Sequence, residues 1–357
     1  MTEPLAPGAV IGILGGGQLG RMLSIAASRL GFKCHVFDPS PNPPAGHVAE
    51  HLVKADYDDV AALKAFARHV DVITFEFENI PTATLDVLEQ HCPIRPGREA
   101  LRVSQDRLTE KNYLTSLGLT TAPYAAVCDQ ASLVVALEEI GPPGILKTRR
   151  FGYDGKGQAR IRTMDDAASA LEDMAGAPAL LEGFVDFTHE ISVIAARGMS
   201  GEVVCFDPGE NVHREGILRT TTVPAKLDAS QRTDAVLLAG RLLNALEYVG
   251  VLGVELFVTT QGLVVNEIAP RVHNSGHWTQ NGCTTDQFEQ HIRAIAGWPL
   301  GDGNRIADVV MENLIGDDLG GVASLAREPN AALHIYGKAE SRPGRKMGHI
   351  NRVIRLT

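Results

Sequence analysis

Short apolar runs alternate with amphipathic segments along the first third of the chain, and this alternation predicts a βαβ arrangement. Residues 9–14 and Lys33–Phe37 are apolar runs typical of buried strands, and the segment from Arg21 to Leu30 between them has the periodicity of a helix. A further predicted strand, Val70–Phe75, ends at the acidic segment Thr74–Asn79. Open α/β sheets bind ligands at the carboxyl ends of their parallel strands, although a solvated strand end explains the same residues.

Helices and strands alternate over shorter distances in the next 80 or so residues, which predicts a small α+β unit. A helix is expected to begin at Ser104–Arg107, with Leu108, Leu114 and Leu117 as its apolar positions. The elements predicted after it are strands at Tyr124–Cys128, Gly144–Thr148 and Ala179–Val185 and helices at Ala131–Ile140 and Met164–Met174.

The pattern changes again near Thr188, where predicted strands begin to outnumber helices. Strands are expected at Glu190–Ala196 and Val203–Phe206, followed by a polar segment, Glu210–Thr221, and a helix over Asp228–Val249. Beyond this helix, two β-rich runs separated by Thr-Thr-Gln-Gly predict an antiparallel hairpin. The two runs are Val254–Val258 and Leu263–Ile268.

The predicted hairpin brings two glutamates together. If its turn centres near Gln261, Glu255 pairs with Glu267, because both lie six positions from it. Directly opposed residues share a sheet face, with Cβ atoms about 4.5–5.5 Å apart, and two carboxylates that close repel each other unless a cation lies between them. Carboxylate ligation suits Mg²⁺, which completes its shell with water and substrate phosphates. The alternative is a slipped register that leaves both side chains in solvent.

A glycine-rich turn follows the first predicted strand. Gly15–Gly20 matches the pattern G-x-G-x-x-G, and the acidic Asp38 lies 18 positions after Gly20, which is compatible with a dinucleotide site. The proline-rich segment after Asp38 does not favour that interpretation. More generally, glycines let the backbone approach a ligand, and the helix N-terminus that follows attracts an anion.

A second glycine-rich segment, Arg149–Gln158, follows the predicted strand that carries Lys147. Its three glycines and its lysine indicate a flexible loop that could fold over a polyphosphate, with Lys147 as a fixed positive charge. The segment is not a P-loop, because the Gly-Lys-Ser/Thr ending is missing. A mobile hairpin tip without a ligand is the alternative.

Two further segments are rich in polar donors. Arg271–Trp278 contains a guanidinium, two imidazoles, an amide and a hydroxyl, which suits an anionic intermediate better than zinc, since the spaced Cys or His partners of a zinc site are missing. Between Lys338 and Arg355 there are six Lys or Arg residues and one acid, Glu340. In an acidic chain this asymmetry indicates an anion site, although a solvated basic tail has the same composition.

Composition limits the classes of function. The net charge of −10 over 357 residues argues against a nucleic-acid or anionic-membrane surface. The five cysteines are scattered, which fits reduced thiols in a cytosol better than a disulfide framework. The first residues lack the features of a signal peptide, and no apolar run is long enough to span a bilayer. A soluble cytoplasmic protein is therefore expected.

Taken together, four ordered segments resemble the ATP-grasp superfamily and, within it, the N5-carboxyaminoimidazole ribonucleotide synthetases of purine biosynthesis. They are Phe151–Gln158, Asn211–Thr221, Glu267–Trp278 and Arg342–His349. The resemblance implies three domains: a Rossmann-like α/β domain at 1–104, a small α+β ATP lid at 105–187, and a larger α+β domain with an antiparallel sheet at 188–357.

The resemblance also implies site residues, with ATP between the second and third domains. Those implied for ATP are Arg107 and Lys147 at the phosphates, the lid residues Gly152, Tyr153, Asp154, Gly155, Lys156, Gly157 and Gln158, the adenine hinge Glu182, Gly183, Phe184 and Val185, the ribose contact Glu190, and His213, Asn266 and Glu267 beside the nucleotide. Those implied for a ribonucleotide are Gln18, Leu19, Glu76 or Glu78, Tyr153, Asp154, Arg271, Lys338 and Arg345. Glu255 and Glu267 would bind Mg²⁺ (or Mn²⁺), and the implied catalytic residues are Lys147, Arg271, His273, Asn274 and His277.

The implied reaction is carboxylation of 5-aminoimidazole ribonucleotide by ATP and bicarbonate through carboxyphosphate, with small molecules as partners and a homodimer as the assembly. One departure stands out: many ATP-grasp enzymes have Glu-x-Asn as metal ligands, whereas this chain has Glu267-Ile268-Ala269. A second metal would then rely on carboxylates and phosphates. The alternatives are another ATP-grasp ligase, such as a formate-dependent glycinamide ribonucleotide enzyme or a biotin-dependent carboxylase, a dinucleotide-dependent reductase, and a non-catalytic nucleotide sensor.

Overall fold

The computed structural model of the protein describes residues 3–152 and 155–354. Tyr153 and Asp154, which the sequence assigns to ATP and ribonucleotide binding, lie outside the described residues. The N-terminal elements are β1 (Val10–Leu14), α1 (Gln18–Arg29), β2 (Lys33–Phe37), a 3₁₀ turn (Pro44–His47), β3 (His51–Val53), α2 (Val60–Ala67), β4 (Val72–Phe75), α3 (Thr82–Leu88) and α4 (Arg98–Ser104).

The four N-terminal strands form a parallel sheet in the order β3-β2-β1-β4. β1 and β4 are apolar and almost entirely buried, as expected for strands covered on both faces. The βαβ prediction is therefore confirmed, with one correction. Helix α1 begins at Gln18 rather than Arg21, because the glycine turn ends tightly and Gly17 is already the N-cap.

The second group of elements forms the predicted α+β unit. They are α5 (Arg107–Ser116), β5 (Tyr124–Val127), α6 (Gln130–Ile140), β6 (Gly144–Thr148), β7 (Gln158–Ile161), a 3₁₀ turn (Met164–Asp166), α7 (Ala167–Asp173) and β8 (Ala179–Gly183). The strands pair antiparallel in the order β5-β8-β6-β7. The single helix predicted over Met164–Met174 is wrong in its first turn, because the Asp166 carboxylate accepts hydrogen bonds from the Arg162 and Thr163 amides and tightens the chain there.

The remaining strands form one large antiparallel sheet. Its elements are β9 (His189–Arg197), β10 (Val203–Cys205), β11 (Gly209–Arg214), β12 (Ile217–Val223), α8 (Ala229–Ala245), β13 (Gly250–Thr259), β14 (Gly262–Ala269), a 3₁₀ turn (Asn274–Gly276), α9 (Thr279–Gly282), α10 (Gln287–Ala296), β15 (Asp308–Ile315), a 3₁₀ turn (Gly316–Gly321), α11 (Val322–Leu325), β16 (Ala331–Ile335) and β17 (Lys346–Ile354). The strand order is β14-β13-β9-β11-β12-β15-β17-β16, and β10 pairs with β9.

One further prediction needs correction in this part of the chain. Helix α8 ends at Ala245 rather than Val249, because the Tyr248 amide donates to the Leu243 carbonyl and Glu247 adopts a positive φ of 46°. The polar segment Glu210–Thr221 forms the antiparallel hairpin of β11 and β12, whose register shifts between Val212 and His213.

The first and third regions share a hydrophobic core, which orients the parallel sheet toward the large sheet. Met22 and Leu23 of α1 pack in the same cluster as Ile292 and Ile295 of α10. His291 adds a polar tether: its Nδ1 accepts from the Val251 amide and its Nε2 bonds the Thr74 hydroxyl, at 3.1 and 2.8 Å. Within the described ranges, the chain has no helix with the length and apolar character to cross a bilayer.

Candidate active site

One large cleft of about 880 Å³ lies where the three sheets meet. This volume is in the upper part of the range for small-molecule sites, about 300–1,000 Å³. The predicted site residues that line it are Gln18, Leu19, Glu76, Glu78, Arg107, Lys147, Gly152, Gly155, Lys156, Gln158, Phe184, Glu190, His213, Glu255, Asn266, Glu267, Arg271, His273, Asn274, Lys338 and Arg345. Those that do not line it are Gly157, Glu182, Gly183, Val185 and His277.

Glu255 and Glu267 pair directly across β13 and β14, as predicted. The turn assumed for this pairing, centred near Gln261, was wrong, however. The turn has only two residues, since Thr259 pairs with Gly262, and an unbroken register from that turn would place Asn266 opposite Glu255. The register shifts at this point, so Asn266 is an extra residue in β14 and Glu267 takes its place.

The two carboxylates differ in their surroundings. Burial, reinforced by the charge of Glu267, raises the pKa of Glu255. Burial also disfavours the charge on Glu267, but the Arg107 guanidinium, 3.0 Å from its Oε2, outweighs that effect and holds the pKa of Glu267 below its usual value. The Nε2 atom of His273 lies 3.5 Å from Glu255 Oε1. One acid is therefore compensated by the protein, and the other needs a further positive charge.

This donor set fits a hard divalent cation bound together with a ligand. In the described part of the chain, no cluster of three or more His, Cys, Asp or Glu residues could enclose a metal ion. Two opposed carboxylates alone leave most of an octahedral shell open, and Mg²⁺ commonly fills such positions with water and phosphate oxygens. Glu255 and Glu267 are therefore the residues that would hold it.

Buried Lys111 and partly buried Lys147 meet one buried glutamate at the lid end of the cleft. Lys147 on β6 lies 2.7 Å from Glu182 Oε2, and Lys111 on α5 lies 3.5 Å from Glu182 Oε1. Burial opposes ionisation of Glu182, but the two ammonium groups lower its pKa overall, Lys147 more than Lys111. Glu182 thus reaches the site through Lys147 rather than by lining the cleft.

The lid loop and the β11 strand close another side. Gly152, Gly155, Lys156 and Gln158 line the cleft, and the Gly152 carbonyl accepts a hydrogen bond from Arg107 at 3.3 Å. Across from the loop, His213 Nδ1 lies 3.1 Å from Glu190 Oε2. Burial opposes protonation of His213, yet the carboxylates of Glu190 and Glu255 raise its pKa overall.

The glycine turn is already occupied by carboxylates of the protein itself. Glu76 accepts hydrogen bonds from the amides of Gly17 and Gly20, and Asp38 Oδ2 accepts from the Gly16 amide at 2.7 Å. These are the groups on which a dinucleotide would place its pyrophosphate. A resident pair of acids would repel that group, so the dinucleotide interpretation does not fit, while Gln18 and Leu19 remain accessible in the cleft.

A cationic group lies at the ribonucleotide end predicted from the sequence. Arg271 is tied to Glu78, with Nε 2.6 Å from Oε2, so Glu78 fixes the guanidinium. Lys338 donates to the Lys346 carbonyl at 2.6 Å and Arg345 donates to the Glu340 carbonyl at 2.9 Å. The described C-terminal residues up to Ile354 form part of the cleft wall and of strand β17 rather than a solvated tail.

The histidines of the Arg271–Trp278 segment occupy two different depths. His273 lines the cleft, and burial, followed by the charge of Arg271, lowers its pKa to about 3, so the imidazole is neutral. His277 is fully buried and its Nδ1 contacts Gln287 Nε2 at 3.0 Å. Gln287 in turn accepts from the His273 amide and donates to the His273 carbonyl. The side chain of His277 therefore reaches the site through Gln287 and the backbone of His273, and its amide donates to the Asn274 carbonyl.

Several lining residues were missed by the sequence analysis. Lys346 begins β17 within the basic segment, and its position directly after Arg345 was an available signal. Phe187 and Phe257 stack with ring centroids 4.6 Å apart. Phe257 lies two positions after Glu255, and strand alternation places both on one face, so it was predictable. Glu110 had no such signal, since a helical glutamate usually faces solvent.

Comparison with known proteins identifies the family of each region of the chain. Residues 9–105 match the ribonucleotide synthetase preATP-grasp domain family, residues 112–288 the ATP-grasp domain family, and residues 309–355 the phosphoribosylaminoimidazole carboxylase C-terminal domain family. N5-carboxyaminoimidazole ribonucleotide synthase of Brucella melitensis is 53% identical over 352 residues, covering 98% of this chain and 97% of that protein.

Two solved structures share the fold over almost the whole chain. N5-carboxyaminoimidazole synthetase from Staphylococcus aureus complexed with ADP has a TM-score of 0.94 at 38% identity and covers 100% of this chain and 95% of its own. The Aspergillus clavatus synthase in complex with ADP and 5-aminoimidazole ribonucleotide has a TM-score of 0.92 at 32% identity, with 98% and 94% covered. The ATP-grasp fold is confirmed, and the chain belongs to the N5-carboxyaminoimidazole ribonucleotide synthetase family.

Proposed function

We propose that this protein couples hydrolysis of ATP to the carboxylation of 5-aminoimidazole ribonucleotide, with bicarbonate as the carbon source. The observation that carries the proposal is a single cleft with two chemically different ends. Opposed carboxylates and the Lys147–Glu182 pair lie at one end, and a group of cations that includes Arg271 lies at the other. Such a cleft suits two phosphorylated ligands whose reacting groups meet between them.

At the nucleotide end, the phosphates of ATP would contact Arg107, Lys147 and the lid loop. The Phe187–Phe257 stack and Phe184 offer an apolar surface for a base, beside the hinge after β8. The hinge residues Glu182, Gly183 and Val185 do not line the cleft, whereas Glu190, His213 and Asn266 line the rest of its nucleotide half. Gly157 has a φ of 67°, a left-handed conformation that lets the lid loop turn into β7.

At the other end, the 5′-phosphate of the ribonucleotide would contact Arg271, Lys338 and Arg345, with Lys346 beside them. Gln18 and Leu19 open the first turn of α1 toward the ribose. Glu76 is the acid at the glycine turn and Glu78 supports Arg271, so of the two acids we assign the sugar contact to Glu76.

A divalent cation, Mg²⁺ or Mn²⁺, would be held by Glu255 and Glu267 and would supply charge neutralisation of the ATP phosphates during transfer. Around it, Arg107 and Lys147 hold the transferred phosphoryl group. Bicarbonate oxygen attacks the γ-phosphorus, the bond to the β–γ bridging oxygen breaks, and ADP leaves. The lid excludes water from the carboxyphosphate that results, which hydrolyses readily.

The exocyclic amine then attacks the carboxyl carbon, or CO₂ released from carboxyphosphate, and phosphate leaves. The departing phosphate takes the amine proton, because burial lowers the pKa of His273 to about 3 and leaves its imidazole a weak base. Nδ1 of His273 accepts from the Ser275 amide, so its Nε2–H faces the cleft and would donate a hydrogen bond to the carboxyl oxygens. Asn274, which exchanges hydrogen bonds with Asn313, would orient the carboxyl oxygens, and Arg271 would offset their charge. His277 would act indirectly by fixing Gln287.

The same proposal includes a homodimer, a cytoplasmic location and domains at 1–104, 105–187 and 188–357. All five cysteines are unpaired, which supports a reducing compartment. The three sheets fall within the three proposed domains, which supports their boundaries. Sedimentation analysis of the purified protein would test the dimer.

A labelled-bicarbonate assay tests the reaction. With ATP, Mg²⁺, ¹⁴C-bicarbonate and 5-aminoimidazole ribonucleotide, we expect acid-labile label in the ribonucleotide product and one ADP per label. Omission of either bicarbonate or ribonucleotide should reduce ADP formation to background. ADP formation without label incorporation, or turnover of glycinamide ribonucleotide with formate instead, would refute the proposal.

A further inference from the structure

The outer edge of β14 is covered by two neighbours: the Val265 amide donates to the Thr120 carbonyl, and helix α5 covers the backbone beyond it. β14 is the edge strand of the large sheet. The Lys111 ammonium donates to the Asn266 carbonyl at 2.8 Å, and the Glu110 carboxylate accepts from the Ile268 amide at 2.6 Å. These contacts flank Glu267, whose own carboxylate is held by Arg107 from the same helix. Side chains of α5 thus form hydrogen bonds with the backbone on both sides of Glu267.

Lys111 has the most unusual place in this arrangement. It is only 1% exposed, and a buried ammonium needs polar partners to offset the loss of water. Its partner carbonyl belongs to Asn266, the extra residue that breaks the register of the hairpin. An extra residue of this kind is left out of the strand ladder, so its backbone needs a partner from elsewhere. Lys111 provides that partner and thereby fixes the shape of the bulge.

The same ammonium also faces the lid. Among the described residues, Glu182 Oε1 makes no hydrogen bond, and Lys111 Nζ lies 3.5 Å from it, while Lys147 takes the other carboxylate oxygen. One buried cation therefore joins the strand before the hinge to the strand that carries a proposed metal ligand. The distance between Glu182, beside the proposed nucleotide hinge, and Glu267, the proposed metal ligand, depends on this link.

We infer that Lys111 is a positioning residue for the metal–nucleotide site: by holding the Asn266 bulge against Glu182, it sets the direction of Glu267 toward Glu255. This inference rests on the proposed function only in that Glu255 and Glu267 hold the divalent cation of the nucleotide. A purely structural role, in which Lys111 contributes to folding and nothing else, is the competing explanation.

The test compares Lys111→Met with Lys111→Arg and with the exposed control Lys64→Met on α2. Two affinities are measured on each full-length protein: ADP in EDTA by calorimetry, and Mn²⁺ in the presence of saturating ADP by electron paramagnetic resonance. For Lys111→Met we expect ADP affinity within about threefold of the parent and Mn²⁺ affinity lower by roughly 10- to 100-fold, as when groups behind a ligand are removed. Lys64→Met should change neither.

Lys111→Arg keeps a charge and a donor, but its wider guanidinium cannot occupy the same buried position. Its Mn²⁺ affinity should therefore lie between those of the parent and Lys111→Met, and this variant carries the test if the methionine variant does not fold. Lower thermal stability with unchanged Mn²⁺ affinity in either variant would overturn the inference. Neither measurement requires carboxylation, so failure of the proposed reaction would be seen separately in the bicarbonate assay.

Discussion

Glu255 lies opposite Glu267 because one extra residue, Asn266, shifts the register of the hairpin between them. Without that shift, the two-residue turn would pair a carboxylate with an amide. The shift instead creates a pair of acids that is stable only when charge is supplied from outside the pair. Arg107 compensates Glu267, and burial keeps Glu255 from ionising readily. In the proposed function, a cation that arrives with a nucleotide would complete the balance.

Removal of either acid should abolish turnover without abolishing nucleotide binding. For Glu255→Gln and Glu267→Gln we expect kcat to fall on the order of 10²-fold or more, since each variant loses charge at the site of phosphoryl transfer. ADP affinity in EDTA should stay within a few fold. The control is Glu138→Gln on the exposed face of α6, which should leave both quantities unchanged. Full activity in either active-site variant would contradict the role of the pair.

Arg107 should be sensitive to shape as well as charge. Its guanidinium contacts Glu267 and the carbonyl of Gly152, so it connects the acidic pair with the lid. Arg107→Met should lower kcat/KM for ATP by about 10²- to 10³-fold, in the range seen when a preorganised donor is removed. Arg107→Lys should lose about tenfold, because a lysine cannot make both contacts at once. Steady-state kinetics with varied ATP would measure both, and equal losses in the two variants would contradict the two-contact role.

The Arg271–Glu78 pair should contribute to stability in a way that depends on both partners. Arg271→Met leaves the Glu78 carboxylate in the cleft wall without its cation, which should cost on the order of 3 kcal/mol in the free energy of unfolding. Arg271→Met/Glu78→Gln should recover most of that loss in urea denaturation but none of the activity. Arg342→Met, in an exposed pair with Glu340, should leave the free energy of unfolding almost unchanged, because solvent screens the pair. A double variant no more stable than Arg271→Met would show that the two residues are not coupled.

The buried His291 should make the protein less stable in acid. Burial lowers its pKa from 6.5 to about 3, so below pH 6.5 the unfolded chain takes up a proton that the folded chain refuses. Stability is therefore fully present above pH 6.5 and is lost as the pH falls toward 3, by up to about 1.4 kcal/mol per pH unit for this group.

The check is urea denaturation between pH 7 and pH 4.5. His291→Gln should be less stable at pH 7, because it loses the tether between Thr74 and Val251, but its stability should fall less steeply with decreasing pH. The exposed His91→Gln should keep the parent slope. An unchanged slope in His291→Gln would mean that the imidazole is already protonated in the fold.

Local pattern predicted much of the fold. The strands Lys33–Phe37 and Gly144–Thr148 were placed without error, because short apolar runs bounded by turns carry their own signal. Helix ends were less accurate, since the end of α8 depends on the left-handed conformation of Glu247 rather than on periodicity. The predicted pairing of the two acids was right although the predicted turn was wrong. The assumed loop was one residue longer than the real turn, and the bulge at Asn266, which was not predicted, shifts the register by the same one residue.

The buried charges could not be predicted from local pattern. In α5, the apolar positions Leu108, Leu114 and Leu117 suggested the inward face, yet only Leu114 among them is buried, while Glu110 and Lys111 are. Their burial depends on the β14 backbone at Asn266 and Ile268, which is distant in sequence. Packing against a strand that is distant in sequence leaves no periodic signal in the sequence of α5.

The most direct measurement is the anomalous scattering of Mn²⁺ in crystals grown with ADP. We expect one strong peak between the carboxylates of Glu255 and Glu267, within coordination distance of both and of a phosphate oxygen of the nucleotide. A peak bound only by phosphate and water, or a nucleotide whose phosphates lie away from the hairpin, would contradict it.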